Sequence, residues 1–145
     1  MLEALMDLLT SQLVRVRGAS MSPAPRHGGW VRVSRRAYRR AAPARFDIVR
    51  FSDPARQGRW AIKRVIGQPG ERLELSEAGL KIDGRSVNEP HLGGRPATNA
   101  GLQMEWFLGP DDYLVLGDNR AASTDSRSYG PIPRSAVTGR VGWPL

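Results

Sequence analysis

Ser20 and Lys63 are the residues whose types and settings could do chemistry. Of the 22 basic residues only Lys63 and Lys81 are lysines; the rest are arginines. Arginine stays protonated under any biological condition, whereas a buried lysine can lose its proton and become a base. Lys63 stands in Trp60-Ala61-Ile62-Lys63-Arg64-Val65-Ile66-Gly67, an apolar run around one amine. Ser20 stands in Gly18-Ala19-Ser20-Met21-Ser22-Pro23, where small neighbours let another backbone approach closely. A serine hydroxyl and a neutral amine together can cleave an acyl bond without a histidine. The plainer readings are a turn serine and a lysine whose amine reaches water along an apolar stem. A third segment, Gly117-Asp118-Asn119-Arg120-Ala121-Ala122-Ser123-Thr124-Asp125-Ser126-Arg127, concentrates hydroxyls, carboxylates and guanidiniums. Such a stretch could hold a lysine amine through Ser123 and pin itself with Asp–Arg pairs, or be only a hydrophilic turn.

Elements must position these groups. A chain of 145 residues with 40% apolar content fits one domain, or one core with an insertion. With 16 Gly and 11 Pro the backbone turns often, which suits short strands better than a helix bundle. Cysteine is absent and the only histidines are His27 and His91, which removes thiolate chemistry and argues against a histidine metal site. The net charge of +8 permits nucleic acid or anionic lipid as a partner, although an arginine-rich solvated surface is the simpler reading. No run of about 18 apolar residues exists, so no transmembrane helix is expected. The start, Met1-Leu2-Glu3, lacks the basic residues of a secretory leader.

Leu2, Leu5, Met6, Leu9 and Leu13 form one stripe of a short amphipathic helix, with Glu3, Asp7, Thr10 and Gln12 opposite. That stripe either packs on the body or lies on a membrane surface. Leu13–Arg17, Trp30–Val33, Phe46–Phe51, Trp60–Ile66, Leu73–Leu75, Leu80–Ile82, Tyr113–Leu116 and Val137–Val141 read as strands. Trp60–Ile66 is apolar on both parities and fits a strand covered on both sides. Asp83-Gly84 is a two-residue hairpin turn. Arg35 to Arg45 is a basic loop or ribbon, and Asn88 to Leu102 a loop. The sum is mainly β, with about seven to nine strands.

At this point the chain resembles a known family, the type I signal peptidases, which are Ser/Lys endopeptidases that remove secretory leaders. Val16-Arg17-Gly18-Ala19-Ser20-Met21-Ser22-Pro23 is similar to their nucleophile box. Phe46-Asp47-Ile48-Val49-Arg50-Phe51 resembles their Gly-Asp-Ile-Val strand, and Lys63-Arg64-Val65-Ile66-Gly67-Gln68-Pro69-Gly70-Glu71 their lysine box. Gly117 to Arg127, followed by Tyr129-Gly130, matches their final box. The four boxes occur in the family's order and span nearly the whole chain. Four positions depart from the pattern. Gly18 replaces a common hydroxyl residue, Pro23-Ala24-Pro25 replaces Pro-Thr-Leu, Gly28-Gly29 replaces Gly-Asp, and Phe46 replaces Gly.

The resemblance implies a mainly β, antiparallel catalytic core of the signal-peptidase type, residues 13–67 and 112–145. An inserted small β cap, 68–111, and a short N-terminal helix, 1–12, complete it. It implies that Ser20 attacks the scissile carbonyl, that neutral Lys63 is the base, and that Ser123 orients the amine. The Ser20 N–H would donate to the oxyanion beside Gly18 and Ala19, and Met21 and Ile62 would line shallow pockets for small residues of an Ala-x-Ala leader. Arg64, Asp118, Asn119, Asp125 and Arg127 would support the box, with Arg64 partnering Asp118. No metal and no organic cofactor are expected. The partners would be a preprotein or peptide and a membrane surface, with no nucleic acid.

Family members usually carry N-terminal anchors. An excised catalytic domain, a surface-lying protein and a soluble maturation protease for one dedicated precursor are the three ways to account for their absence here. Localisation would be the extracytoplasmic face of the bacterial plasma membrane, with a soluble cytoplasmic protein as the alternative. Two rivals remain. A self-cleaving Ser/Lys protein would need an internal scissile bond, and only Ala78-Gly79 and Ala100-Gly101 offer Ala-Gly steps. A basic nucleic-acid-binding β domain would use Arg35–Arg45 with Trp30 and Tyr38.

Overall fold

Trp60–Gly67 forms the longest strand, β4, and both of its faces are covered. Ala61, Lys63 and Val65 point one way, and Ile62, Arg64 and Ile66 the other. Only the end residue Trp60 is exposed, so the double-sided apolar pattern follows from β4's central place in a sheet. The computed structural model describes residues 1–144.

In chain order the other elements are α1 (Leu2–Thr10), β1 (Gln12–Arg15), β2 (Trp30–Ser34) and β3 (Ile48–Ser52). Next come β5 (Arg72–Ser76), β6 (Gly79–Ile82), β7 (Arg85–Val87) and β8 (Gln103–Phe107). β9 (Asp112–Leu116), α2 (Ser126–Tyr129), β10 (Ile132–Pro133) and β11 (Val137–Gly142) complete the chain. The strands form a seven-stranded sheet, β1-β2-β11-β3-β4-β9-β10, and a four-stranded sheet, β7-β6-β5-β8. Every pairing is antiparallel, and the fold is mainly antiparallel β. The two sheets share one apolar cluster, in which Leu73, Leu75, Leu80 and Ile82 meet Ile66, Leu114 and Leu116.

Eleven strands exceed the expected seven to nine. β8 has only a half-buried face, and β10 is two residues ending in a proline, so neither carries a strong pattern. The tail strand β11 lies inside the sheet, between β2 and β3. Gly139 permits this, since a Cβ there would collide with Ser34 O and Val33. The Phe46–Phe51 strand begins later, at Ile48. Phe46 takes a positive φ of 72°, a conformation that suits the family's glycine, inside a turn where the Asp47 carboxylate accepts from Ala44 N–H and Tyr38 OH. β1 likewise stops at Arg15, two residues before the expected Arg17.

α1 buries none of its residues, so its apolar stripe does not pack on the body. Its polar side makes the contact: Asp7 accepts from the Ser34 hydroxyl, and Glu3 pairs with Arg40. Leu2, Leu5, Leu8 and Leu9 face outward, each at least half exposed.

Candidate active site

β1 ends at Arg15, and the chain bends through a segment that closes back on itself. Val16 N–H donates to Gly29 O and Gly28 N–H to Val16 O, both at 2.8 Å. Gly18 turns with φ of 84°, and its N–H donates to His27 Nδ1 at 2.8 Å. The turn presents Ser20 to β4, whose Lys63 Nζ lies 2.8 Å from Ser20 Oγ. Lys63 is 6% exposed and also lies 3.3 Å from Ile62 O. Burial lowers its pKa from the ordinary lysine value of 10.5. The Asp125 and Asp53 carboxylates oppose that shift without cancelling it, and Arg56 adds to it. The net shift favours the neutral form of the amine.

Around this pair opens a cleft of about 950 Å³, lined by Gly18, Ala19, Met21, Ile62, Ala122 and Thr124 among others. Met21 and Ile62 belong to the apolar cluster beneath it, with Val14, Val16, Val31, Val33 and Val141. The Ser20 N–H donates no hydrogen bond within the described residues and is available to a ligand oxygen.

The segment after β9 holds this turn in place. Asn119 N–H donates to Ser20 O at 2.9 Å, and its side-chain amide to Ala19 O at 3.0 Å. The Arg64 guanidinium grips Asp118 through two hydrogen bonds, of 2.9 and 2.7 Å. Asp125 is fully buried, accepting from Gly117 N–H at 3.0 Å and from Arg127 Nε at 2.9 Å. Burial alone would raise the Asp125 pKa, but Arg127 and the Gly117 N–H outweigh it and the net shift is downward. Gly117 must be a glycine, because a Cβ would collide with Ser123 Oγ and Ser20 O.

Ser123 packs against Gly117 beside Ser20 O, its buried Oγ makes no hydrogen bond to Lys63, and its hydroxyl helps to lower the Asp125 pKa. Four contacts escaped the sequence reading: His27 on Gly18, Arg95 on Ser22 O at 3.2 Å, Thr98 on Arg127, and the buried Glu89–Arg120 pair that His91 joins at 3.0 Å. Gly18, Ser22, Arg120 and Arg127 lie inside the boxes, whereas their partners His27, Arg95, Thr98, Glu89 and His91 lie outside them and carried no sequence cue.

A family model described as signal peptidase, peptidase S26, matches residues 1–145. The chain is 35% identical over 138 residues to signal peptidase I V of Bacillus subtilis, covering 88% of this chain and 81% of the relative. It is 34% identical over 146 residues to signal peptidase I of Bacillus caldolyticus, covering 90% and 78%. A crystal structure of a signal peptidase I from Enterococcus faecalis superposes with a TM-score of 0.60 at 32% identity, covering 68% of this chain and 95% of that one.

Proposed function

The chain belongs to the S26 signal peptidase family, the serine endopeptidases that remove leader peptides from preproteins, and on that premise we propose that Ser20 and Lys63 are its catalytic dyad. The observation that carries this reading is the 2.8 Å approach of a buried amine to a serine hydroxyl at the floor of a cleft. The Ser20 hydroxyl gives its proton to neutral Lys63 as Oγ attacks the scissile carbonyl carbon. The Ser20 N–H donates to the oxyanion that forms. Lys63 then protonates the leaving amine, which departs as the new N-terminus of the mature protein. The acyl ester on Ser20 is hydrolysed by a water that gives its proton to Lys63, which passes it to Ser20 Oγ as the leader is released.

Ser123, whose hydroxyl lies beside Gly117 and Ser20 O, serves this cycle as a positioning residue for the Lys63 amine. Arg64, Asp118, Asn119, Asp125 and Arg127 hold the nucleophile turn against β4. Met21 and Ile62 make the cleft floor shallow and apolar, which suits small side chains of the Ala-x-Ala kind. The residues 68–111, carrying the four-stranded sheet, act as a cap inserted into the catalytic core.

Ser20→Ala and Lys63→Arg are each expected to lower leader-peptide cleavage on the order of 10⁴-fold or more with the fold retained, Lys63→Arg at a lower melting temperature because it buries a permanent charge. Wild-type cleavage by purified Ser20→Ala would overturn the assignment.

The cleavage takes place at a membrane surface. Among the described residues no helix is long and apolar enough to cross a membrane. Leu13 and Trp30 are also exposed, and share one face of the β1–β2 pair with Arg15 and Arg32. Leucines with tryptophan and arginine suit a helix lying in the lipid interface, here at the extracytoplasmic face. Leu5→Glu with Leu9→Glu should cut sedimentation with anionic vesicles at least about tenfold while sparing cleavage of a soluble peptide. Unchanged sedimentation would refute surface docking.

A further inference from the structure

The floor of the cleft is apolar, but its rim is strongly basic. Arg15 and Arg17 line it from the segment leading to Ser20, and Arg56 and Arg59 from the turn joining β3 to β4. Asp53 is the only acidic residue among the cleft's lining. Its carboxylate is committed within its own turn, Oδ1 accepting from Ala55 N–H at 2.9 Å and Oδ2 from Arg56 Nε at 3.1 Å. Arg15 Nε is likewise held, donating to Gly28 O at 3.2 Å. Arg17 and Arg59 are exposed and form no ion pair among the described residues. With Asp53 committed to its own turn, no carboxylate in the cleft's lining is left to neutralise these two guanidiniums.

A peptide reaching Ser20 must enter the cleft that both line. Charges along a low-dielectric cleft focus their field on whatever enters it. A guanidinium also offers a planar fork that matches a carboxylate through paired hydrogen bonds. We propose that Arg17 and Arg59 bind an acidic side chain of the substrate within a few residues of the scissile bond, so that this protein selects substrates carrying Asp or Glu beside the cut. The inference rests on the Ser20/Lys63 endopeptidase reading and adds a charge requirement to the small-residue pockets. It favours a peptide over lipid phosphate as the anion because both arginines line the cleft that holds Ser20, not the outward stripe of α1.

The test uses the whole chain without lipid and a set of Ala-x-Ala leader peptides. Glu, Gln or Lys is placed singly at each of three positions on either side of the cut. At one position or more, kcat/KM should fall in the order Glu, Gln, Lys, with about three- to tenfold between Glu and Gln at low ionic strength. That ratio should shrink as salt is added and approach one in Arg17→Gln/Arg59→Gln, while Arg17→Lys/Arg59→Lys retains part of it. A flat wild-type series overturns the proposal, as does an acid preference that survives in the double Gln variant. Loss of the preference when anionic vesicles are added also overturns it, since the guanidiniums would then belong to lipid. If wild type and Ser20→Ala alike cleave nothing, the endopeptidase reading fails and the proposal falls with it, a result distinct from a flat series.

Discussion

The two sheets of this molecule both bury apolar side chains but differ in the polar groups they bury. In the four-stranded sheet the buried side chains are Leu73, Leu75, Leu80 and Ile82, while Arg72, Glu74, Lys81 and Glu105 stay on its outer surface. The seven-stranded sheet buries Lys63 and Arg50, and the segment beside it buries Asp118, Arg120, Asp125 and Ser126. Apolar burial stabilises wherever it occurs. A buried charge is tolerated only when partners surround it, and replacing such a pair by apolar groups is often neutral or stabilising. The contrast teaches where stability is made and where it is given up to place reactive groups.

The sharpest way to break that contrast is a pair of truncations, one in each region. Asp118→Ala leaves the Arg64 guanidinium, whose side chain is 16% exposed, with only Phe46 O as a partner. The expected loss is about 3–5 kcal/mol in urea unfolding, together with most of the kcat/KM. Arg64→Met added to Asp118→Ala should return part of the stability and none of the activity. Leu75→Ala, from the apolar cluster, should cost about 2–5 kcal/mol and leave kcat/KM of the folded protein within a few-fold. Equal losses of activity from both would show that the two sheets do not divide the work in this way.

Lys63→Met sharpens the contrast next, because it should abolish cleavage and stabilise the protein. Burial lowers the folded-state pKa of Lys63 below 10.5. Above 10.5 the amine is neutral folded and unfolded, and no pH dependence arises. As pH falls below that value the unfolded chain takes up the proton first, so wild-type stability declines until the folded-state pKa is reached and then levels off. The advantage of Lys63→Met should follow the same course, growing between those two pKa values to about 1–3 kcal/mol at lower pH. Melting temperatures measured at several pH values check this. A methionine variant no more stable than wild type at neutral pH would mean that the amine is hydrated in the folded state. Wild-type activity should instead rise with pH through the folded-state pKa, where folded Lys63 loses its proton, and level off above it.

Much of this was legible in the residues, and the reason differs by region. In the four-stranded sheet Leu73 and Leu75 alternate with polar neighbours, and Asp83 and Gly84 take the positive φ values of 50° and 82° that a tight hairpin requires. Local chemistry there determines local structure. At the site, Ser20 and Lys63 stood out by residue type and setting, but their roles and the Asp118–Arg64 pairing were expected from a resemblance, because residues 43 and 54 positions apart carry no periodic cue. Contacts made by loop residues stayed hidden for the same reason: His27 on Gly18, Glu89 on Arg120 and Arg95 on Ser22 O depend on how irregular backbone closes. Phe46 was misread as strand because an aromatic residue beside Ile48 and Val49 fits that pattern, while its positive φ is imposed by the Asp47 turn.

The smallest expected effect falls on the nucleophile turn itself. A Cβ at Gly18 would meet no atom within 4 Å, so Gly18→Ala tests backbone conformation without a steric clash. The φ of 84° suits glycine, and the bond from Gly18 N–H to His27 Nδ1 helps keep it there. Gly18→Ala should therefore cost about 1 kcal/mol of stability. It should also lower kcat several-fold, because Ser20 Oγ and the Ser20 N–H move together with the turn. Gly18→Ser should lose the same stability while adding the hydroxyl that many relatives carry, so the activity ratio of the two variants isolates that hydroxyl. Gly84→Ala, at a φ of 82° in the hairpin between β6 and β7, is the matched control in the other sheet. It should cost similar stability and no activity. If the two alanines lowered kcat alike, the strain at Gly18 would have no special link to the chemistry.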